Sequence, residues 1–313
     1  MELITFHFIN ILFCQEREAT SDLRNIFAAD KISNSSIASK KPYFFIRDLF
    51  GNVIIIDAIS YDEIISYSLP ELNNTNSAIA GDTFYNIVAE TGSIFSTGLS
   101  NIMEGPDVIT WNLVGSFPKQ SSARNNAVTD GTLIYFVTYI GNFYVYDTVL
   151  KTTRQLETIP YYDSFASLVI VDKILYIHKH NNFYSYDGTT LTEISTPESR
   201  YHSAIFKMVN NVCRVGGNTT DVFPDPVMCY NPKDKTWSTT SYINEARWYP
   251  GVAGMESKTY VFGGLFHFQP PNNVSDFWRS SIEVLNHETN IWSYIPSRLS
   301  QGQQYIQALS FYF

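Results

Sequence analysis

An all-β ring of six four-stranded blades, a β-propeller, is the fold class that the sequence predicts, on three observations. A unit of strand-like segments recurs along the chain. The second strands of the units align at Phe44, Tyr85, Tyr135, Tyr176, Cys213 and Tyr260, at intervals of 41, 50, 41, 37 and 47 residues. A repeat near that length is one four-stranded blade. The last segment, YIQALSF from Tyr305, resembles the first strand of a unit, and the first unit lacks its own first strand. The C-terminus is therefore expected to pair into the first blade and close the ring, removing open sheet edges.

Each unit reads as strands a, b, c and d. The third strands are NVIIIDAI (from Asn52), GSIFSTGL (Gly92), NFYVYDTV (Asn142), NFYSYDGT (Asn182), PVMCYNPK (Pro226) and SIEVLNHE (Ser281). The fourth read DEIISYSL, VITWNLVG, TTRQLETI, LTEISTPE, TWSTTSYI and NIWSYIPS. First strands begin at Ser77, Asn126, Ala166, His202 and Pro250. Residues alternate or run apolar between Gly, Asn, Asp and Pro breaks, as strands and turns do. The only helical signal is a turn near Ser21 to Ala29. The blades fall at 42–72 plus 303–313, 73–120, 121–162, 163–199, 200–246 and 247–302.

Bulk properties fit a large sheet protein. Of 313 residues, 44% are hydrophobic and 15% aromatic, and only 16% are charged, below the usual quarter. The net charge of −9 argues against nucleic acid, whose phosphates need clustered Lys and Arg. No apolar run is long enough to span a membrane. A shorter run, Leu3 to Cys14, has the length of a signal-peptide core, although Glu2 stands where a basic residue is expected. Residues 1–19 read as a signal peptide, cleaved after Cys14 or Ala19, and 20–41 as a linker. The alternative is that the run is a strand or helix of the mature chain. Asn-x-Ser/Thr sequons at Asn34, Asn73, Asn218 and Asn273 suit secretion and glycosylation.

One motif is sharper than the rest. Gly216-Gly217 is followed by Tyr230 and Trp237, and Gly263-Gly264 by Leu285 and Trp292, with six residues between the last two positions in each copy. Units three and four keep the tyrosine as Tyr146 and Tyr186, without the glycines or tryptophan. Over 200–298 this pattern resembles the kelch repeat, more weakly over 120–200, and over 42–118 in register alone. The resemblance implies that the glycines end strand b near the crowded channel side, where a Cβ would clash, and that Tyr and Trp pack between sheets. Trp237→Ala is then expected to cost about 3–5 kcal/mol as a core truncation. Kelch proteins often carry an Arg between strand d and the next strand a. Arg124, Arg200, Arg247 and Arg298 stand there, either bonded to neighbouring backbone and carboxylates or facing a ligand.

Without the leader, two cysteines remain. If Val215 opposes Val227 across strands b and c of the fifth unit, Cys213 opposes Cys229, within disulfide reach. Two buried thiols in place of the Tyr260/Val284 pair of the next unit are the alternative.

Chemistry is sparse. The chain has no nucleophile elbow, zincin helix, phosphate loop or Cys-x-x-Cys, so no catalytic residue, metal site or cofactor is expected. His178 and His180 lack a third ligand partner. Asp147 and Asp187 recur after Tyr, as turn caps do. Kelch-propeller copper oxidases need a Cys-Tyr crosslink and His ligands, which a paired cysteine set does not offer; sialate-epimerising kelch propellers stay open. The long loop Leu265 to Ser280 carries Phe266, His267, Phe268, Phe277, Trp278 and Arg279, residue types that anchor interfaces. These side chains either present to a partner or fold back on the blade. Its counterpart, Asn218 to Pro226, also bears a sequon. The expectation is a secreted or lumenal, monomeric binding protein that shows loops to a protein or glycan, with Phe266, His267, Phe268, Trp278, Arg279, Arg200 and Arg247 as candidate contacts. The alternatives are an intracellular adaptor, which has no room for a BTB domain in the roughly 40 residues before the first blade, and a sugar-modifying enzyme.

Overall fold

Six sheets of four antiparallel strands form the protein. The computed structural model describes residues 40–121, 127–160, 165–217, 225–268, 275–300 and 306–313, with side chains omitted at 266–268 and 275–277. The leader, the linker up to residue 39, Arg124 and sequons Asn34, Asn218 and Asn273 lie outside the described residues; Asn73 is exposed on a turn. Blade 1 contains β1 (Pro42–Arg47), β2 (Asn52–Asp57) and β3 (Glu63–Ser68). Blade 2 is β4 (Asn76–Ala80), β5 (Thr83–Val88), β6 (Ser93–Gly98) and β7 (Asn112–Ser116). Blade 3 is β8 (Val128–Thr129), β9 (Leu133–Val137), β10 (Asn142–Asp147) and β11 (Thr152–Thr158). Blade 4 is β12 (Ala166–Val171), β13 (Ile174–Lys179), β14 (Asn182–Tyr186) and β15 (Leu191–Ile194). Blade 5 is β16 (Ala204–Met208), β17 (Asn211–Val215), β18 (Asp225–Asn231) and β19 (Thr236–Ile243). Blade 6 is β20 (Gly251–Met255), β21 (Lys258–Phe262), then a two-stranded hairpin, β22 (Leu265–Phe268) and β23 (Ser275–Trp278), then β24 (Ser281–Asn286) and β25 (Ile291–Arg298).

The last strand, β26 (Gln307–Tyr312), pairs with β1, Phe44 opposite Ser310. The six innermost strands each touch their counterparts in both neighbouring blades, so the ring is closed. Closure is also held by side chains. Gln307 Oε1 accepts from Arg47 Nε at 3.0 Å and from the Ser77 amide at 3.0 Å, while Gln307 Nε2 donates to Ser77 O. One buried amide thus ties the C-terminal strand to blades 1 and 2. The Arg47 guanidinium also donates to the carbonyls of Leu72 and Thr75.

Burial falls from the axis outward. β1 (PYFFIR) ends in four buried residues, whereas the outer β3 (EIISYS) alternates exposed and half-buried. Inner strands are covered on both faces by adjacent blades, and outer strands have a wet face. Six apolar clusters follow, one per blade interface. In five blades the c–d pairing carries a bulge, as between Ile55 and Ile56 or Val227 and Met228, which adds twist.

The structure departs from the sequence reading in blade 2. The segment before β7 is not strand from Val108. It is a helix, α1 (Leu99–Glu104), and a 3-10 turn over Pro106–Val108. Leu99 and Ile102 are buried with Phe45, Ile55 and Leu72 at the blade 1–2 interface, and Tyr67 Oη donates to Ile102 O at 2.9 Å. Burial of one helical face against blade 1 outweighs the weak local propensity of a six-residue segment. Gly105, at φ 110°, ends the helix.

Candidate interaction face

Loops b–c and d–a share one end of the ring, because strands b and d run toward it and a and c away. The d–a connections into blades 5 and 6 repeat a pattern: Arg200-Tyr201-His202 and Arg247-Trp248-Tyr249, with His202 (φ 60°) and Tyr249 (φ 52°) both left-handed. Left-handed backbone at bulky residues is uncommon and needs support from its surroundings. The arginines supply it. Arg200 Nη1 donates to Asp225 Oδ1 at 2.7 Å and to Gly216 O at 3.2 Å, and its Nε meets Glu198 Oε1. Arg247 donates to Gly263 O at 2.7 Å, Ser281 O at 3.0 Å, Glu283 Oε1 at 2.9 Å and Glu245 Oε2 at 3.1 Å. Both are completely buried, so the expectation that they face a ligand is corrected: their charge is neutralised inside the fold, bonding backbone and carboxylate. Arg298, by contrast, ends β25 and is exposed.

The glycine pairs sit under these connections. A Cβ on Gly216 would lie 2.5 Å from Arg247 O, on Gly217 2.6 Å from Tyr201 O, and on Gly264 2.9 Å from Trp248 O. The crowding therefore comes from the d–a connection crossing above, rather than from the channel. The six-residue gap between the aromatic positions has a register explanation. Tyr230 faces Trp237 and Leu285 faces Trp292 directly across the c–d ladder. Tyr230 and Trp237 contact Phe183 of blade 4, and Trp237 Nε1 donates to Ser195 O at 2.8 Å. Trp292 packs on blade 5, its Nε1 donating to Ser241 Oγ at 3.1 Å. Trp237 is only half-buried while Trp292 is buried, so the core-truncation cost belongs to Trp292.

Cys213 and Cys229 face each other across β17 and β18 and form a disulfide, Cα atoms 4.0 Å apart. Next to it is a polar cluster that sequence reading missed. Arg214, fully buried, reaches Glu198 at 3.2 Å and lies 5.6 Å from the Trp237 ring centroid. Burial, and then the Arg200 charge, lower its pKa to about 10. Burial pushes the Asp225 carboxyl up to about 6 despite Arg200. Burial and then the Arg214 charge push the His178 imidazole down to about 3. His178 and His180 do not share a face: His178 is inside β13, whereas His180 follows it in a left-handed turn, edge-on to Tyr201 at 4.6 Å. Among the described residues no group of three His, Cys, Asp or Glu side chains is placed to hold a metal. Asp147 and Asp187 cap turns: Asp147 Oδ1 accepts from the Val149 and Leu150 amides, and Asp187 Oδ1 from the Thr189 and Thr190 amides.

The long loop is a hairpin rooted on blade 6. Trp248 and Leu265 exchange two backbone hydrogen bonds of 2.7 Å, and the Arg279 amide donates to Gly264 O at 2.8 Å. Phe266, His267 and Phe268 form β22, and Phe277 lies on β23. At the root Trp278 is 50% exposed, and Tyr294 on β25 is 51% exposed. Arg279 Nη1 is 3.6 Å from Glu245 Oε1, and Glu245 in turn holds the buried Arg247. Partial burial, then Glu245 and Glu283, raise the Tyr294 phenol's pKa. Tyr294 and Arg279 thus share Glu245 as a charged neighbour, and Trp278 is exposed at the hairpin root beside Arg279 in sequence.

The Kelch motif model matches residues 247–298, the whole of blade 6. The fold is a six-bladed β-propeller with a kelch motif in its sixth blade. No curated protein matches the chain. In this propeller the matched blade carries both the glycine pair and the inserted hairpin, and no helix among the described residues is long and apolar enough to cross a membrane.

Proposed function

We propose that the propeller is a non-enzymatic binding scaffold, secreted or lumenal, that docks a protein partner on the b–c and d–a face at blade 6. The observation that carries this reading is the exposed Trp278 next to Arg279 on a hairpin root fixed by backbone bonds to Trp248 and by the Glu245–Arg247 bridge, with the exposed Tyr294 of β25 within the field of Arg279. Interface hot spots are enriched in these three residue types, and rigid anchors lose little entropy on binding. The displaced groups His178 and Asp225 are buried in blade packing rather than gathered at a channel mouth, an arrangement that favours binding over sugar chemistry. The Cys213–Cys229 disulfide supports an oxidising compartment.

The test compares wild-type protein with the Trp278→Ala/Tyr294→Ala variant and with an Ile59→Ala/Val149→Ala control, each displayed to cell-surface proteins and to a glycan array. The reading requires a protein ligand lost at least tenfold by the first variant and kept by the control. A glycan ligand with the same pattern would replace the protein partner, and equal binding by all three proteins would refute the site. Mass analysis of protein from a secretory host tests secretion: a retained Met1 with free thiols would argue for an intracellular adaptor.

A further inference from the structure

The channel along the axis is a second candidate site, at the opposite end from the hairpin. A cavity of about 910 Å³ is lined by Leu309, Ile79, Val128, Val169, Ile205 and Val252, one aliphatic side chain from the first strand of each blade in turn. Its volume lies in the range of small-molecule sites. Charged groups in its lining stand only at the a–b and c–d turn end: Lys207, Glu256, Lys258 and Glu288. Lys207 is also 4.0 Å from Asp172. At the other end the axis is covered. Phe165, before blade 4, and Tyr249, before blade 6, meet with ring centroids 5.4 Å apart although their blades are not neighbours, and the Ile306 amide donates to Tyr249 O at 3.3 Å. Phe165, Tyr249 and Ile306 are all buried.

An aliphatic bore covered at one end, with a rim of both charge signs at the other, defines a ligand chemistry. A charged group inside the bore would lose its hydration without a partner. An apolar chain gains from leaving water. A first strand of five residues runs roughly 16 Å along the bore, at about 3.3 Å per residue, which suits an extended chain. Rim cations and anions together satisfy a neutral hydrogen-bonding head better than an acid or a base. We infer that the central channel binds a neutral single-chain amphiphile, its alkyl chain inside and its hydroxyl or ester head at the turn-face rim.

Gly254 offers a way to block the channel. It lies on β20 and lines the cavity, and a Cβ there would meet nothing nearer than Lys258 O at 4.0 Å. The probe is 1-decanol, measured by equilibrium dialysis against the full chain below its solubility limit. One bound molecule per chain is expected, with affinity reduced at least tenfold in Gly254→Phe and unchanged in Trp278→Ala. Circular dichroism and an intact disulfide establish that the variants are folded; if Gly254→Phe is not, Gly254→Val takes its place with the same expected loss. Undetectable decanol on the wild-type protein, undiminished binding in the folded blocking variant, or loss in Trp278→Ala would each overturn the assignment.

Discussion

Trp292 and Trp237 hold the same register position in adjacent blades, yet their burial sets them apart. Trp292→Ala removes a buried ring and its bond to Ser241, and a loss of about 3–5 kcal/mol is expected. Trp237→Ala exposes less and should cost roughly 1–3 kcal/mol, part of it through the nearby Arg214 guanidinium. Chemical denaturation of the two variants checks the order. His178 and Asp225 oppose each other in acid. His178 is depressed to about 3 in the folded chain, so below its unfolded value near 6.5 the unfolded state takes up the extra proton and stability falls. Asp225 is raised to about 6, so its contribution grows as pH falls from about 6 toward its unfolded value. Between about pH 6 and 4 the two slopes offset. An Asp225→Asn variant should therefore lose stability on acidification relative to wild type, and His178→Gln should gain it. Denaturant midpoints across that interval decide; parallel profiles for all three proteins would contradict the assignment. Neither shift was legible in sequence, since His178 and Asp225 are brought beside Arg214 and Arg200 by blade packing alone.

Among the elements, strands and turns were more legible than their contents. The b-strand register points all lie within second strands, and the opposition of Cys213 and Cys229 follows from antiparallel pairing of β17 and β18. The disulfide closes a short loop, sequence separation 16, and is worth about 3 kcal/mol in the chain-entropy account. Reduction should lower the unfolding free energy by about that amount, and the denaturation midpoint with it, without dissolving the fold, because the blade's ladder and apolar clusters remain; an unchanged midpoint after complete reduction would refute this. The Asx turns after strand c recur in blades 1, 3 and 4 through Asp57, Asp147 and Asp187, and in blades 5 and 6 through Asn231 and Asn286. These are local bonds and therefore visible in local sequence. Helix α1 was not, because its formation depends on blade 1 covering Leu99 and Ile102.

At the scale of the whole molecule, stability depends on closing the ring. Removing residues 304–313 takes away β26, opens the edge of β1 and leaves Arg47 without Gln307. The truncated chain should lose cooperative unfolding and aggregate. Gln307→Ala is the milder test: the Arg47 and Ser77 partners stay buried with bonds missing, at roughly 1–3 kcal/mol for each group left unsatisfied. A truncated protein with a wild-type melting profile would show that closure is dispensable.

The sequence by itself determined the repeat, the number of blades, strand order, the turn caps and the closing role of the C-terminus. Each depends on period, alternation or short-range hydrogen bonds, which are written in the order of residues. Tertiary structure decided which arginines are buried, that the double glycines yield to a crossing connection, that Trp292 is deeper than Trp237, and that one end of the channel is covered by Phe165 and Tyr249. These depend on contacts between residues tens of positions apart. Their energies come from burial and charge neutralisation in a closed ring, quantities that no local pattern carries.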